Sequence, residues 1–210
     1  MSKSDLVEGL VRASAGKVHK ELLSCYELIH KFGRGVVYYG SARLREGAIY
    51  NEARQLARDV SLLLKTTTWS GGGPGMMQAA TFGAQDVSMP VAAIRIHREA
   101  GTNVLVNAKP IVAADKSVVC KFLSARKVAL VDAGVREKEE DRTAYIYLPG
   151  GVGTMDEFFE LLTLTQLNKL GTKYSVPLIL MNYNGFYNGL LRFLDECISQ
   201  GTLGAKVRQH

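Results

Sequence analysis

Cysteine is scarce in this 210-residue chain, which has three: Cys25, Cys120 and Cys197. Their odd number, wide spacing and lack of a CxxC pair argue against a disulfide framework or a cysteine zinc site, and fit a reducing compartment. Histidine is also thin. His19, His30, His97 and His210 form no HxxxH pair, so no metal site is expected. No run reaches the roughly 18 apolar residues of a membrane helix. The first residues lack an apolar signal core, and Asp5 and Glu8 stand where a transit peptide avoids acids. These absences together predict a cytoplasmic protein. The net charge is +6 and the isoelectric point about 9.2, which permits an anionic ligand. Without a run of five basic residues or a basic block interleaved with aromatics, neither nucleic acid nor a membrane is the expected partner.

Several nucleotide and nucleophile signatures are missing too. GxxxxGK[ST] is absent, which excludes P-loop triphosphate hydrolysis. GxGxxG is absent after the first expected strand, where Gly40-Ser41-Ala42-Arg43 stands, so a nicotinamide dehydrogenase is a poor fit. Ser41 lies in no GxSxG elbow. No lysine has a local context that suggests pyridoxal phosphate, and no cofactor is expected.

What is present is an ordinary globular composition, 47% apolar and 22% charged, in a chain long enough to bury a core. Helical periodicity marks 5–32, through Leu6, Leu10, Val18, Leu22, Tyr26 and Ile29, with Gly33 and Gly35 as its stop. Further helices are predicted over 48–65, 75–86, 116–133, 154–169 and 185–200. Short strands are predicted over 36–39, 66–69, 91–96, 144–148 and 176–181, apolar except for the β-branched 66–69, with 105–113 extended. In the helix 75–86, the small residues Ala79, Ala80, Gly83 and Ala84 imply a close neighbour. Strands alternating with helices imply a parallel sheet covered on both faces. The expected fold is α/β: a single Rossmann-like doubly wound domain over 35–210, its mostly parallel sheet flanked by helices, preceded by an N-terminal helix extension over 1–34.

Seven of the 21 glycines are clustered at two strand ends. Tyr145-Ile146-Tyr147-Leu148 runs into Pro149-Gly150-Gly151-Val152-Gly153-Thr154 and then a helix. Such a turn presents unpaired N–H groups and the positive end of the helix dipole to an anion, usually phosphate. Gly150, Gly151 and Gly153 let a ligand approach the backbone, while Thr154 caps the helix or binds a phosphate oxygen. The alternative is a tight turn without a ligand. Gly71-Gly72-Gly73-Pro74-Gly75 is a second such loop, facing a ligand or packing strand against helix.

Glu157 falls three residues after Thr154, in the expected first turn, placed to contact a ribose or activate water. The competing role is a capping box with Thr154. Asp156 points about 100° away from it. Arg126 and Lys127 interrupt an apolar helix, as an anion or carboxylate partner would require, or as rim side chains would that extend to solvent.

Together these residues match one family. Pro149-Gly150-Gly151-Val152-Gly153-Thr154-Met155-Asp156-Glu157 reproduces PGGxGTxxE, and Arg126-Lys127 matches the RK pair before it. Gly71–Gly75 with Met77, and Gly40-Ser41, complete a resemblance spanning roughly 35–200 to the LONELY GUY (LOG) family, long labelled lysine decarboxylases. The resemblance implies hydrolysis of the N-glycosidic bond of cytokinin riboside 5′-monophosphates, by a homodimer or larger homo-oligomer. It implies Glu157 and Arg126 as catalytic residues. Gly40, Ser41, Gly72, Gly73, Lys127, Gly150, Gly151, Gly153 and Thr154 would bind substrate, with no metal. Two alternatives stand beside it: a nucleosidase for ordinary purine nucleotides (AMP, GMP or IMP), and a nucleotide sensor of the same fold without catalysis.

Overall fold

The computed structural model describes residues 15–97 and 110–204. Its centre is a six-stranded, wholly parallel sheet. In chain order the elements are α1 (Ala15–Phe32), β1 (Gly35–Tyr39), α2 (Ala48–Leu64), β2 (Thr67–Ser70), α3 (Met76–Gln85) and β3 (Val91–Ile96). There follow β4 (Ser117–Cys120), α4 (Leu123–Gly134), β5 (Ala144–Tyr147), α5 (Val152–Gln166), β6 (Leu178–Leu180) and α6 (Asn188–Ser199). The strands lie in the order β4-β3-β2-β1-β5-β6. The chain therefore builds outward from β1 to β4, then returns to lay β5 on the other side of β1. That reversal is the switch point at which open α/β sheets bind ligands.

Alternation along each strand divides the interior into two cores. Val37 and Tyr39 of β1, Trp69, Ala92, Ile94, Tyr145 and Tyr147 face a core shared with α1, α4 and α5. Val36, Tyr38, Ala144 and Ile146 face the other, shared with α2 and α3. The small residues of α3 are explained by α2. A Cβ on Gly83 would lie 2.9 Å from the Ala57 Cβ and 2.9 Å from the Arg58 nitrogen. Helix α1 contributes Cys25, Leu28 and Ile29 to the first core. Its end is fixed to β2, because the Trp69 indole N–H donates to the Gly33 carbonyl at 3.0 Å.

Two expectations need correction. The region 116–133 is not one helix: Ser117–Cys120 forms the edge strand β4, and helix begins only at Leu123. Two adjacent β-branched residues, Val118 and Val119, suit the strand, which pairs with β3 from Ala93↔Ser117 to Ile96↔Cys120. The expected extended segment 105–113 lies outside the described residues up to 109, and 110–113 is loop. The part of the first predicted helix before residue 15 also lies outside them. Among the described residues no helix is long and apolar enough to cross a membrane.

The central strands carry buried tyrosines, and this sets a pH dependence. Burial pushes the hydroxyls of Tyr38, Tyr39, Tyr145 and Tyr147 well above their ordinary range. Below a pH of about 10 both folded and unfolded chains keep these protons. Above it the unfolded chain loses them while the folded chain does not, so stability falls by about 1.4 kcal/mol per pH unit for each such tyrosine. The urea midpoint should therefore hold to about pH 10 and drop steeply beyond it; a flat midpoint between pH 9 and pH 11 would contradict this.

Candidate active site at the sheet switch point

Three loops meet at the carboxyl ends of β1, β2 and β5, joined through the backbone of one residue. The Ser41 N–H donates to the Pro149 carbonyl at 3.0 Å, and the Ser41 carbonyl accepts the Met76 N–H at 2.9 Å. The contacts are too close for side chains. A Cβ on Gly40 would lie 2.6 Å from the Met76 Cβ and 3.1 Å from the Leu148 Cβ. Gly72 and Gly75 have positive φ, at +67° and +69°, which favours glycine. The Gly72 N–H is held by the Ser70 hydroxyl at 3.1 Å, and Gly73 is buried.

The third loop opens α5. Gly151 is the N-cap, and the first bond within the helix runs from the Met155 N–H to the Gly151 carbonyl at 3.0 Å. The N–H groups of Val152, Gly153 and Thr154 therefore lack acceptors within the helix. A Cβ on Gly151 or Gly153 would meet nothing within 4 Å, so the space before these donors is open. Gly150 differs: a Cβ there would collide with the Thr154 side chain, which packs under the loop and is buried.

This geometry corrects the capping expectation. Val152 and Gly153 are already helical, so Thr154 is the third residue of the helix and Glu157 the sixth; no side chain caps the end. Glu157 instead turns inward to Arg126. The Arg126 Nη1 and the Glu157 Oε1 are 3.3 Å apart, with the two residues only 8% and 9% exposed. The Arg126 Nε also donates to the Ile94 carbonyl at 3.3 Å. Its guanidinium lies against Gly71, where an added Cβ would overlap it. A buried ion pair is thus set beside the second glycine loop and one and a half turns along the helix from the first. Below it, the Tyr147 hydroxyl donates to the Glu157 carbonyl at 3.2 Å. The Tyr147 ring stacks on Tyr39 at 5.0 Å and meets Phe158 edge-on at 5.1 Å, giving the pair a rigid floor.

Lys127 and Asp156 form a parallel pair on the outer side, with Nζ and Oδ2 2.8 Å apart and the Glu160 Oε2 at 3.4 Å. Burial pulls the ammonium pKa down, but the hydrogen bond to Asp156 and the charge of Glu160 outweigh it and raise it. Adjacent residues of α4 thus meet adjacent residues of α5. The structure brings the loops of Gly40, Ser41, Gly71–Gly73 and Gly150 together at the switch point, buries the Arg126–Glu157 pair beside Gly71, and places the Lys127 head group apart, on two carboxylates.

One group of lining residues was not singled out in the sequence. Arg45, Glu46, Gly47, Tyr50, Asn51 and Gln78 line an open cleft of about 500 Å³ between the start of α2 and the start of α3. It adjoins the loops at Ser41. The residues come from two helix starts and share no spacing signature. Among the described residues no three His, Cys, Asp or Glu side chains gather as a metal site would require.

Residues 77–210 match the model of a protein family described as possible lysine decarboxylase. Among curated relatives, the cytokinin riboside 5′-monophosphate phosphoribohydrolase LOG4 of Arabidopsis thaliana is 28% identical over 185 residues, covering 85% of this chain and 75% of the relative. The phosphoribohydrolase LOG of Oryza sativa subsp. japonica is 26% identical over 185 residues, covering 85% and 67%. Among solved structures, the molybdenum cofactor binding protein of Rippkaea orientalis superposes with a TM-score of 0.48 at 21% identity, over 77% of this chain and 83% of that one.

Proposed function

This chain belongs to the family described as possible lysine decarboxylase, the LOG family of its PGGxGTxxE segment, and on that premise we propose that it is a nucleoside 5′-monophosphate phosphoribohydrolase. It splits the N-glycosidic bond with water, giving free base and ribose 5-phosphate, and cytokinin riboside monophosphates are the substrates its relatives' names point to. The observation that carries the reading is the buried Arg126–Glu157 pair, beside one glycine loop and on the helix that the other opens.

In this reading the 5′-phosphate rests on the N–H donors of Val152, Gly153 and Thr154, with Gly150 and Gly151 shaping the turn. Gly40, Ser41, Gly72 and Gly73 border the sugar. Phosphate binding fixes C1′ of the ribose, so binding energy away from the reacting bond is used to orient it. As the C1′–N bond breaks, positive charge builds on the ribose ring. The Glu157 carboxylate steadies that charge through the ribose hydroxyls or takes the proton of the attacking water. The water oxygen bonds to C1′, and the base leaves with the glycosidic electron pair and gains a proton. Arg126 orients Glu157. Lys127 holds Asp156 and Glu160, and so keeps α4 in register with α5. The base extends toward the cleft lined by Tyr50, Asn51 and Gln78.

Decarboxylation through a lysine Schiff base has the opposite requirement. Such a lysine is activated by a lowered pKa, whereas Lys127, next to Arg126 in the sequence, is paired with two carboxylates that raise its pKa.

The test is chromatography of base and ribose 5-phosphate after incubation with AMP and, separately, isopentenyladenosine 5′-monophosphate. Release is expected. The ratio of the two rates separates a cytokinin-activating enzyme from an ordinary purine nucleotidase. Nucleotide binding without release from either would replace the proposal with a sensor.

A further inference from the structure

Two cysteines 95 residues apart in sequence meet in the core, outside the candidate site. Cys25 on α1 and Cys120 at the end of β4 have their Sγ atoms 3.6 Å apart, and neither is exposed. The contact is held in register by an acidic side chain one turn earlier on α1. The Glu21 carboxylate accepts the N–H of Lys121 at 3.0 Å and of Phe122 at 3.1 Å, the two residues after Cys120. Glu21 thus anchors α1 at the β4–α4 turn, and the cysteines face each other across that anchor.

A disulfide needs sulfurs at about 2.05 Å, so about 1.5 Å of approach completes the bond. Helix α1 can supply it. It is a surface helix that buries Cys25, Leu28 and Ile29 while Leu23 and Tyr26 face solvent. Either thiol can donate to the other across this contact, so once the contact opens either sulfur can attack and the other resolve.

We propose that Cys25 and Cys120 are a redox-active dithiol that disulfide-class oxidants convert to an intramolecular disulfide, fastening α1 to the outer edge of the sheet. With oxidised glutathione, one of the two cysteines, as thiolate, attacks one glutathione sulfur and expels the other as thiolate. The second cysteine, losing its proton to solvent, attacks the sulfur of the first, forms the Cys25–Cys120 bond and expels the second glutathione thiolate. Two protein thiols are oxidised, one glutathione disulfide is reduced to two glutathione molecules, and both thiol protons leave with the products. Because both sulfurs are buried, reaction requires α1 to part transiently from the sheet, so its rate follows that local opening.

The full chain is treated with oxidised glutathione in dilute urea, which favours that opening, then alkylated in strong denaturant and digested with trypsin. The expected product joins residues 21–31 to residues 117–121 at two hydrogens below their summed mass, is reversed by dithiothreitol, and leaves Cys197 open to alkylation. The oxidised protein should melt roughly 5 °C or more higher, because the cross-link spans a long loop. The Cys25→Ala variant should yield no joined peptide. Recovery of Cys25 and Cys120 as alkylated residues after oxidation, or modification confined to Cys197, would overturn the proposal. The peptide map of the unmutated chain decides this even if a variant fails to fold.

Discussion

In the Glu157→Gln variant, release of base from a nucleoside monophosphate is expected to fall by about 10²- to 10⁴-fold in kcat, with KM changed far less. Glutamine keeps the shape of the side chain and an acceptor for Arg126, but neither takes a proton nor opposes positive charge on the ribose. The amide is the informative replacement, because alanine would leave the Arg126 guanidinium buried beside an empty space. Breaking a buried pair in that way costs about 3–5 kcal/mol and would confuse lost folding with lost chemistry. Arg126→Met should lower kcat as well. The double variant should be little worse than Glu157→Gln alone, because groups that act as a unit are not additive. Initial rates for the three variants, with urea midpoints as the control on folding, check this. A Glu157→Gln enzyme that keeps half its rate would remove Glu157 from the chemistry.

Gly75→Ala is expected to damage folding as strongly as Glu157→Gln damages turnover. Gly75 sits at φ +69° and ψ −130°, a region that residues with a Cβ avoid. A methyl there would collide with the Ser41 carbonyl oxygen, and would lie 2.9 Å from the Ala42 carbonyl carbon and 3.0 Å from the Leu44 oxygen. All three are backbone atoms and cannot swing aside. Strain of about 1–3 kcal/mol and overpacking of about 1–3 kcal/mol give a loss of roughly 2–6 kcal/mol. For a chain of this size the melting temperature should drop by roughly 5–20 °C. Gly151→Ala supplies the contrast. Its φ is −94° and nothing lies within 4 Å of the added carbon, so its urea midpoint should hold while the methyl intrudes on the phosphate position and raises KM. Equal midpoints for Gly75→Ala and the unmutated chain would refute the steric argument.

The strands β1, β3 and β5 are legible in the sequence because each is a short apolar run, and β2 because it is β-branched; three of the four run into glycine. The edge strand β4 is not. Ser117–Cys120 passes into α4 through Lys121 and Phe122, with no glycine or proline between, so its valines join the helical pattern that follows. The candidate site divides in the same way. Its glycines can be read locally, because the need for close backbone approach is local. The burial of Arg126 cannot: its carboxylate partner is 31 residues further on, and only the packing of α4 on α5 unites them. Gly151–Gly153 reads as turn, so the sequence puts the start of α5 at Thr154. In the folded chain Val152 and Gly153 already belong to the helix, which moves Glu157 from the first turn to the second. The meeting of Cys25 with Cys120 has no local signal at all.

The loops at the switch point are joined at Ser41 by a main-chain N–H to Pro149 and a main-chain carbonyl to Met76. Main-chain atoms are the same whichever side chain they carry. Such a joint is insulated from drift in the neighbouring cleft, so Arg45, Tyr50, Asn51 and Gln78 can be exchanged without unpicking it. On the proposed reading, divergence in the base accepted is thereby uncoupled from the hold on the sugar and phosphate. An engineer choosing where to randomise this protein would leave positions 40, 41 and 75 alone and draw a library from that cleft.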